Sequence, residues 1–88
     1  MIEIELTVKN RAGIHTRPAA AVVKLAARYK SDVFLIKDGF EINAKSIIGV
    51  MTLAADQGSK LTLKVDGEDE ALAVDNIKQL FEDGFNEL

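Results

Sequence analysis

Apolar and polar positions alternate strictly at the start of the chain. Ile2, Ile4, Leu6 and Val8 fall on one side, and Glu3 and Glu5 on the other. A period of two with one charged side predicts a strand of an antiparallel sheet with one wet face. Asn10 to Gly13 reads as a loop. From Thr16 to Arg28 the period changes to that of a helix. Ala19, Val22, Val23, Ala26 and Tyr29 recur on one face, with Pro18 near the start, where a missing N–H costs nothing. Lys24 and Arg28, one turn apart, point outward.

Ser31-Asp32 breaks this helix, and Val33–Ile36 is a short buried strand. Lys37-Asp38-Gly39 turns the chain, and Phe40, Ile42 and Ala44 alternate on a return strand. Ser46 suits the cap of a short helix reaching about Ala55, with Gly58 just beyond it. Leu61, Leu63 and Val65 alternate as a fourth strand. After Asp66-Gly67, the run Glu68, Asp69, Glu70 favours a helix start through its dipole. That helix packs Ala73, Val74, Ile77, Leu80 and Phe81 inward and stops near Gly84. The order βαββαβα predicts a two-layer α+β domain spanning residues 1–88, with the helices on one face of the sheet.

Composition removes several classes of function. Without cysteine there is no disulfide scaffold, zinc–thiolate site or catalytic thiol, and one histidine builds no multi-histidine metal site. No metal or cofactor is expected. The initial strand is not a signal-peptide core. The longest uncharged stretch, Ser46 to Ala55, is too short to span a bilayer, so a cytoplasmic location without membrane insertion is expected. The net charge of −3 conceals an asymmetry. Six basic residues and no acidic one lie between Lys9 and Lys30, whereas eight acids and one lysine follow from Asp66 onward. Either this is a basic docking face with an acidic counterweight, or simply two solvated surfaces of opposite sign.

Chemistry concentrates at Gly13-Ile14-His15-Thr16-Arg17-Pro18. His15 is the one side chain whose ordinary titration falls near neutral pH. It sits at a helix start, where unpaired N–H groups and the dipole favour an anion. Arg17 adds a guanidinium suited to phosphate oxygens. A phosphoryl group carried on His15 would be charge-compensated there. A surface histidine that merely caps a helix fits the same spacing. The 46–55 helix carries two apolar faces, of which a domain this small buries one. Ile47, Ile48 and Met51 then form an exposed patch suited to partners, unless the helix is wedged into the core on both sides. Ser46 is sufficient as a cap. Phosphorylated, it would place about −1.5 to −2 of charge beside that patch.

Asn10 and Gly13–Ala19 resemble the active-site signature of HPr, the histidine-containing phosphocarrier family of the phosphoenolpyruvate-dependent sugar phosphotransferase system. Asn43–Ile47 with Gly49-Val50-Met51 resembles the same family's serine-site signature. Length, element order and both motif positions match, so the resemblance covers the whole chain. It implies an open-faced sandwich with a four-stranded antiparallel sheet in order 1-4-2-3 and three helices on one side. It also implies a monomeric, stoichiometric relay rather than an enzyme. His15 would take a phosphoryl group on Nδ1 from enzyme I and pass it to the A domains of sugar-specific enzyme II, with Arg17 stabilising it. Thr16, Ala20, Lys24, Arg28, Ile47, Ile48 and Met51 would form the docking surface. Ser46 matches the site of the HPr kinase/phosphorylase, and a catabolite regulator is a further implied partner. Thr16 stands where the family most often has alanine, and Ile48 where many members have methionine. The nitrogen-related branch and a regulator controlled through Ser46 are alternatives within the fold. A ferredoxin-like ligand- or nucleic-acid-binding domain is the alternative outside it. Negative net charge disfavours nucleic acid.

Overall fold

The structure is a computed structural model and describes residues 1–87. Strand β1 (Ile2–Thr7) leads to helix α1 (Thr16–Ala26) and strand β2 (Asp32–Lys37). Then come β3 (Phe40–Asn43), α2 (Ile47–Thr52), β4 (Lys60–Asp66) and α3 (Glu70–Glu82). A single 3-10 turn (Gly84–Asn86) follows, which the sequence pattern does not predict.

The sheet order is β1-β4-β2-β3, with every neighbouring pair antiparallel. Because β1 and β2 both run against β4, they are parallel to each other. The connection through α1 therefore crosses over and leaves a slot that β4 fills last. Leu63 at the centre pairs with Ile4 on one side and Leu35 on the other. Leu35, Leu61, Leu63 and Val65 meet Val22 of α1, Val50 of α2 and Ile77 and Phe81 of α3 in one buried cluster. The opposite sheet face is wet. There Lys64 Nζ donates to Glu41 at 2.8 Å and lies 5.1 Å from the Phe34 ring centre.

Several boundaries differ from the sequence reading, each for a local reason. β1 ends at Thr7, yet Val8 stays buried and bonds across to the 58–59 loop (Val8 N to Ser59 O 3.0 Å, Gly58 N to Val8 O 2.8 Å). α1 ends at Ala26, because Arg28 and Tyr29 bond three residues back instead of four, which tightens the last turn. α2 ends at Thr52. Ala54 takes a left-handed φ of 48°, and Ala55 is turned away to bond elsewhere. Asp38 (φ 51°) and Gly39 (φ 80°) make the β2–β3 hairpin tip, and Phe40 beside them is exposed although Ile42 is buried. Leu80 is only partly buried.

The α1–β2 junction is tied to the start of α3. The Asp69 carboxylate accepts from Lys30 N (2.8 Å), Ser31 N (3.0 Å) and Ser31 Oγ (2.5 Å). Hydrogen bonds from Ser31 and the Lys30 backbone outweigh partial burial and lower the Asp69 pKa from 3.8 to about 2. Gly67 allows this approach, since a Cβ there would lie 2.5 Å from Ser31 Cα.

Candidate functional site

His15 is set by the loop before it rather than by its own side chain. Asn10 is fully buried. Its carbonyl accepts from Gly13 N (3.2 Å), and its Nδ2 donates to Gly13 O (2.8 Å), closing the loop on itself. Gly13 has φ +73°, and a Cβ there would strike the Ala55 carbonyl. That carbonyl accepts from Ile14 N at 2.9 Å. The early end of α2 thus pins the loop, because the left-handed Ala54 is what aims Ala55 at Ile14.

His15 itself is the N-cap residue of α1, extended at φ −101° and ψ −163°. Its carbonyl accepts from Ala19 N (2.9 Å), and its ring caps nothing. The imidazole is instead 45% exposed and faces the chain's far end: Nε2 lies 3.2 Å from Glu87 Oε1. The second oxygen of Glu87 accepts from Arg17 Nη2, and Oε1 also accepts from Asn10 Nδ2 at 2.6 Å. Partial burial opposes ionisation of Glu87. The hydrogen bonds from Asn10, Arg17 and His15 prevail and hold its carboxyl below the ordinary range.

This arrangement brings His15 and Arg17 together through a residue the sequence reading did not single out. The acids after Asp66 look like one solvated surface in sequence. In the fold, Asp69 and Glu87 both turn back onto the first half of the chain. The role of Asn10 as the link between the loop and Glu87 was equally invisible, although Asn10 belongs to the motif. No periodic signal marks Glu87, which lies beyond the last predicted helix.

The remaining candidate residues lie on neighbouring elements. Thr16 is exposed at the first position of α1, and Ala20 is half-buried. Arg17 and Lys24 are seven residues apart and share one outer stripe of α1, with exposed Arg28 in the turn beyond. α2 packs against α1. It buries Val50 and leaves Ile47, Ile48 and Met51 at 40, 73 and 42% exposure. Ser46 is exposed and caps α2, its Oγ accepting from Gly49 N at 3.2 Å. Among the described residues, no cluster of three or more His, Cys, Asp or Glu is placed to hold a metal ion. Among the described residues, too, no helix is long and apolar enough to cross a membrane.

An exposed histidine at a helix start, with an arginine two residues on and an open-faced 1-4-2-3 sheet behind it, fits the class of small phosphocarriers. Comparison with known proteins agrees. The family model for the PTS HPr component phosphorylation site matches residues 2–83, leaving the turn that carries Glu87 outside the matched segment. The chain is 47% identical to the phosphocarrier protein HPr of Xylella fastidiosa, over 99% of this chain and 98% of that one. It superposes on HPr of Thermoanaerobacter tengcongensis with a TM-score of 0.96 at 39% identity, covering 100% and 99% of the two chains. A dimer of HPr from the same organism matches with a TM-score of 0.80 at 39% identity, covering 99% and 100%. The chain belongs to the HPr family of the phosphotransferase system.

Proposed function

We propose that residues 1–88 act as one relay unit. His15 accepts a phosphoryl group on Nδ1 from phosphorylated enzyme I and donates it to the A domains of sugar-specific enzyme II. The observation that carries this reading is the exposed His15 ring at the start of α1, next to the Arg17 guanidinium. In each transfer the acceptor's nitrogen lone pair forms the new N–P bond as the donor's P–N bond breaks, and that electron pair returns to the donor nitrogen; His15 Nδ1 is the acceptor in the first transfer and the donor in the second. Transfer of this kind needs position and charge compensation more than covalent help. Arg17 and the first-turn N–H groups supply both.

Exposed Lys24 and Arg28 form a basic rim for acidic partner surfaces, and Ile47, Ile48 and Met51 form the apolar centre of the docking face, with Thr16 and Ala20 at its edge. Exposed Ser46 is the site open to a regulatory kinase. A phosphate there would sit on an existing helix cap and leave the fold intact while repelling an acidic partner. The protein works as a cytoplasmic monomer and takes no metal or cofactor of its own.

The test is phosphoenolpyruvate, magnesium and enzyme I, with mass spectrometry of the carrier. One acid-labile phosphoryl group per chain is expected, absent in His15→Ala. A wild-type chain that stays unlabelled beside a competent enzyme I refutes the reading.

A further inference from the structure

β1 is an edge of the sheet and pairs on one side only, with β4. Val8 shows which of its backbone groups point where, because it bonds to Ser59 and Gly58 on the β4 side. Backbone direction alternates along an antiparallel strand. Leu6, Ile4 and Ile2 therefore face β4 as well, and Glu3, Glu5 and Thr7 turn their N–H and C=O groups outward. Among the described residues, none of these outward groups has a hydrogen-bond partner. From Glu3 to Thr7 the free edge runs roughly 13 Å, at about 3.3 Å per residue. An edge of this kind is a template for another strand.

Two further features say what that strand looks like. Beside the edge, between β1 and the second half of α3, lies a recess of about 120 Å³. Buried Leu6 and Phe81 supply its apolar lining. Lys9 and Lys78 balance Glu5 and Glu82 around it, so it suits an uncharged side chain. An apolar cavity of roughly 150 Å³ holds a benzene molecule, so this one takes a single branched aliphatic side chain. On the wet face the edge is acidic. Glu3 and Glu5 are exposed, and Glu5 has only Lys60 Nζ, 3.9 Å away on its inner side. Side chains directly opposite one another across a new ladder share a face, where opposite charges attract.

We infer that the free edge of β1 docks an extended peptide segment of a partner protein, which joins the sheet as a fifth strand with an aliphatic side chain in the recess and basic side chains against Glu3 and Glu5. Run antiparallel to β1, the segment has the pattern aliphatic–basic–any–basic, opposite Leu6, Glu5, Ile4 and Glu3 in turn. A second copy of β1 is a poor occupant, because the long antiparallel registers oppose glutamate to glutamate. The site is also separate from the α1–α2 face. α3 lies over β1 and β4, whereas α2 packs on β3 at the other edge of the sheet. A partner held at β1 leaves His15 uncovered.

The probe is the capped peptide Ser-Thr-Val-Lys-Thr-Lys-Thr-Ser, titrated into 15N-labelled protein. The amide signals of Glu3, Glu5 and Thr7 should shift, and at saturation their hydrogen exchange should slow. The double variant Glu3→Lys, Glu5→Lys should bind about tenfold more weakly, since two attractive pairs become repulsive. Replacing the peptide's valine by aspartate should abolish binding. N-methylation of its two lysine amides, which face the edge, should do the same, whereas N-methylation of the valine and of the threonine between the lysines should not. Three results each overturn the inference: no shifts at millimolar peptide, shifts centred on α1 and α2, or equal effects of the two methylation patterns. Self-association through β1 that excludes the peptide overturns it as well.

Discussion

Asp69 and Glu87 both come from the acidic end of the chain and both fold back onto its basic first third, where each accepts three hydrogen bonds. Their donors differ. Asp69 is held by two backbone amides and the hydroxyl of buried Ser31. Glu87 is held by three side chains, two of which, His15 and Arg17, are exposed. Backbone donors cannot move without unfolding the junction between α1 and β2, so the Asp69 cluster is a rivet. Side-chain donors can re-aim when a new anion arrives, so the Glu87 cluster can exchange partners while the fold stays fixed. On the carrier reading proposed for His15, the same charge pattern serves stability at one end of α1 and phosphoryl handling at the other.

If this contrast is right, damage at the two ends should separate cleanly. The largest expected effect is on transfer. Arg17→Ala should slow phosphoryl acceptance about a hundredfold, the scale of losing a positioned donor on a developing charge. Its thermal midpoint should stay close to wild type, because the side chain is mostly exposed and its ion pair lies at the surface. A large drop in melting temperature would mean that this end is structural too.

Next comes Gly67→Ala. Its Cβ would meet Ser31 backbone and side chain, and the strain should lower stability by about 3 kcal/mol in denaturant titration. Transfer by the remaining folded protein should be unaffected. Slowed transfer at full folding would break the separation from the other side.

The smallest effect is a matter of pH. The Asp69 pKa is lowered from 3.8 to about 2 by its bonds to Ser31 and Lys30. Above about pH 5 the group is ionised in both folded and unfolded chains, and its stabilisation is fully present. As pH falls below that, the unfolded chain takes up the proton first, and stability declines until about pH 2. Asp69→Asn should be less stable at neutral pH and should show a shallower loss between pH 4 and 2. Equal acid slopes for the two proteins would remove Asp69 from the account.

Local pattern was enough for much of the molecule. The alternation at Ile2–Val8 and Leu61–Val65, the helical spacing of Val22 and Ala26, and the serine cap at Ser46 each report a face or an end directly, because burial has the period of the backbone. The site was half legible. His15 and Arg17 stand two residues apart, and the backbone between them is already helical, so short-range sequence places them. Where helices stop was less legible. α1 and α2 end two or three residues early through a tightened turn and a left-handed Ala54, which depend on what the freed carbonyls find nearby.

Sequence alone determined the strands, the three helices, the apolar faces and the histidine–arginine pair, since these follow from periodicity and near neighbours. Tertiary structure decided what approaches from far along the chain. It brought Ala55 under Gly13 and Asp69 onto Ser31, and it wound Gly84–Asn86 left-handed around a buried Phe85. Contacts such as Asn10 to Glu87, 77 residues apart, leave no local trace. They exist only once the sheet has closed and the helices have a common face to pack on.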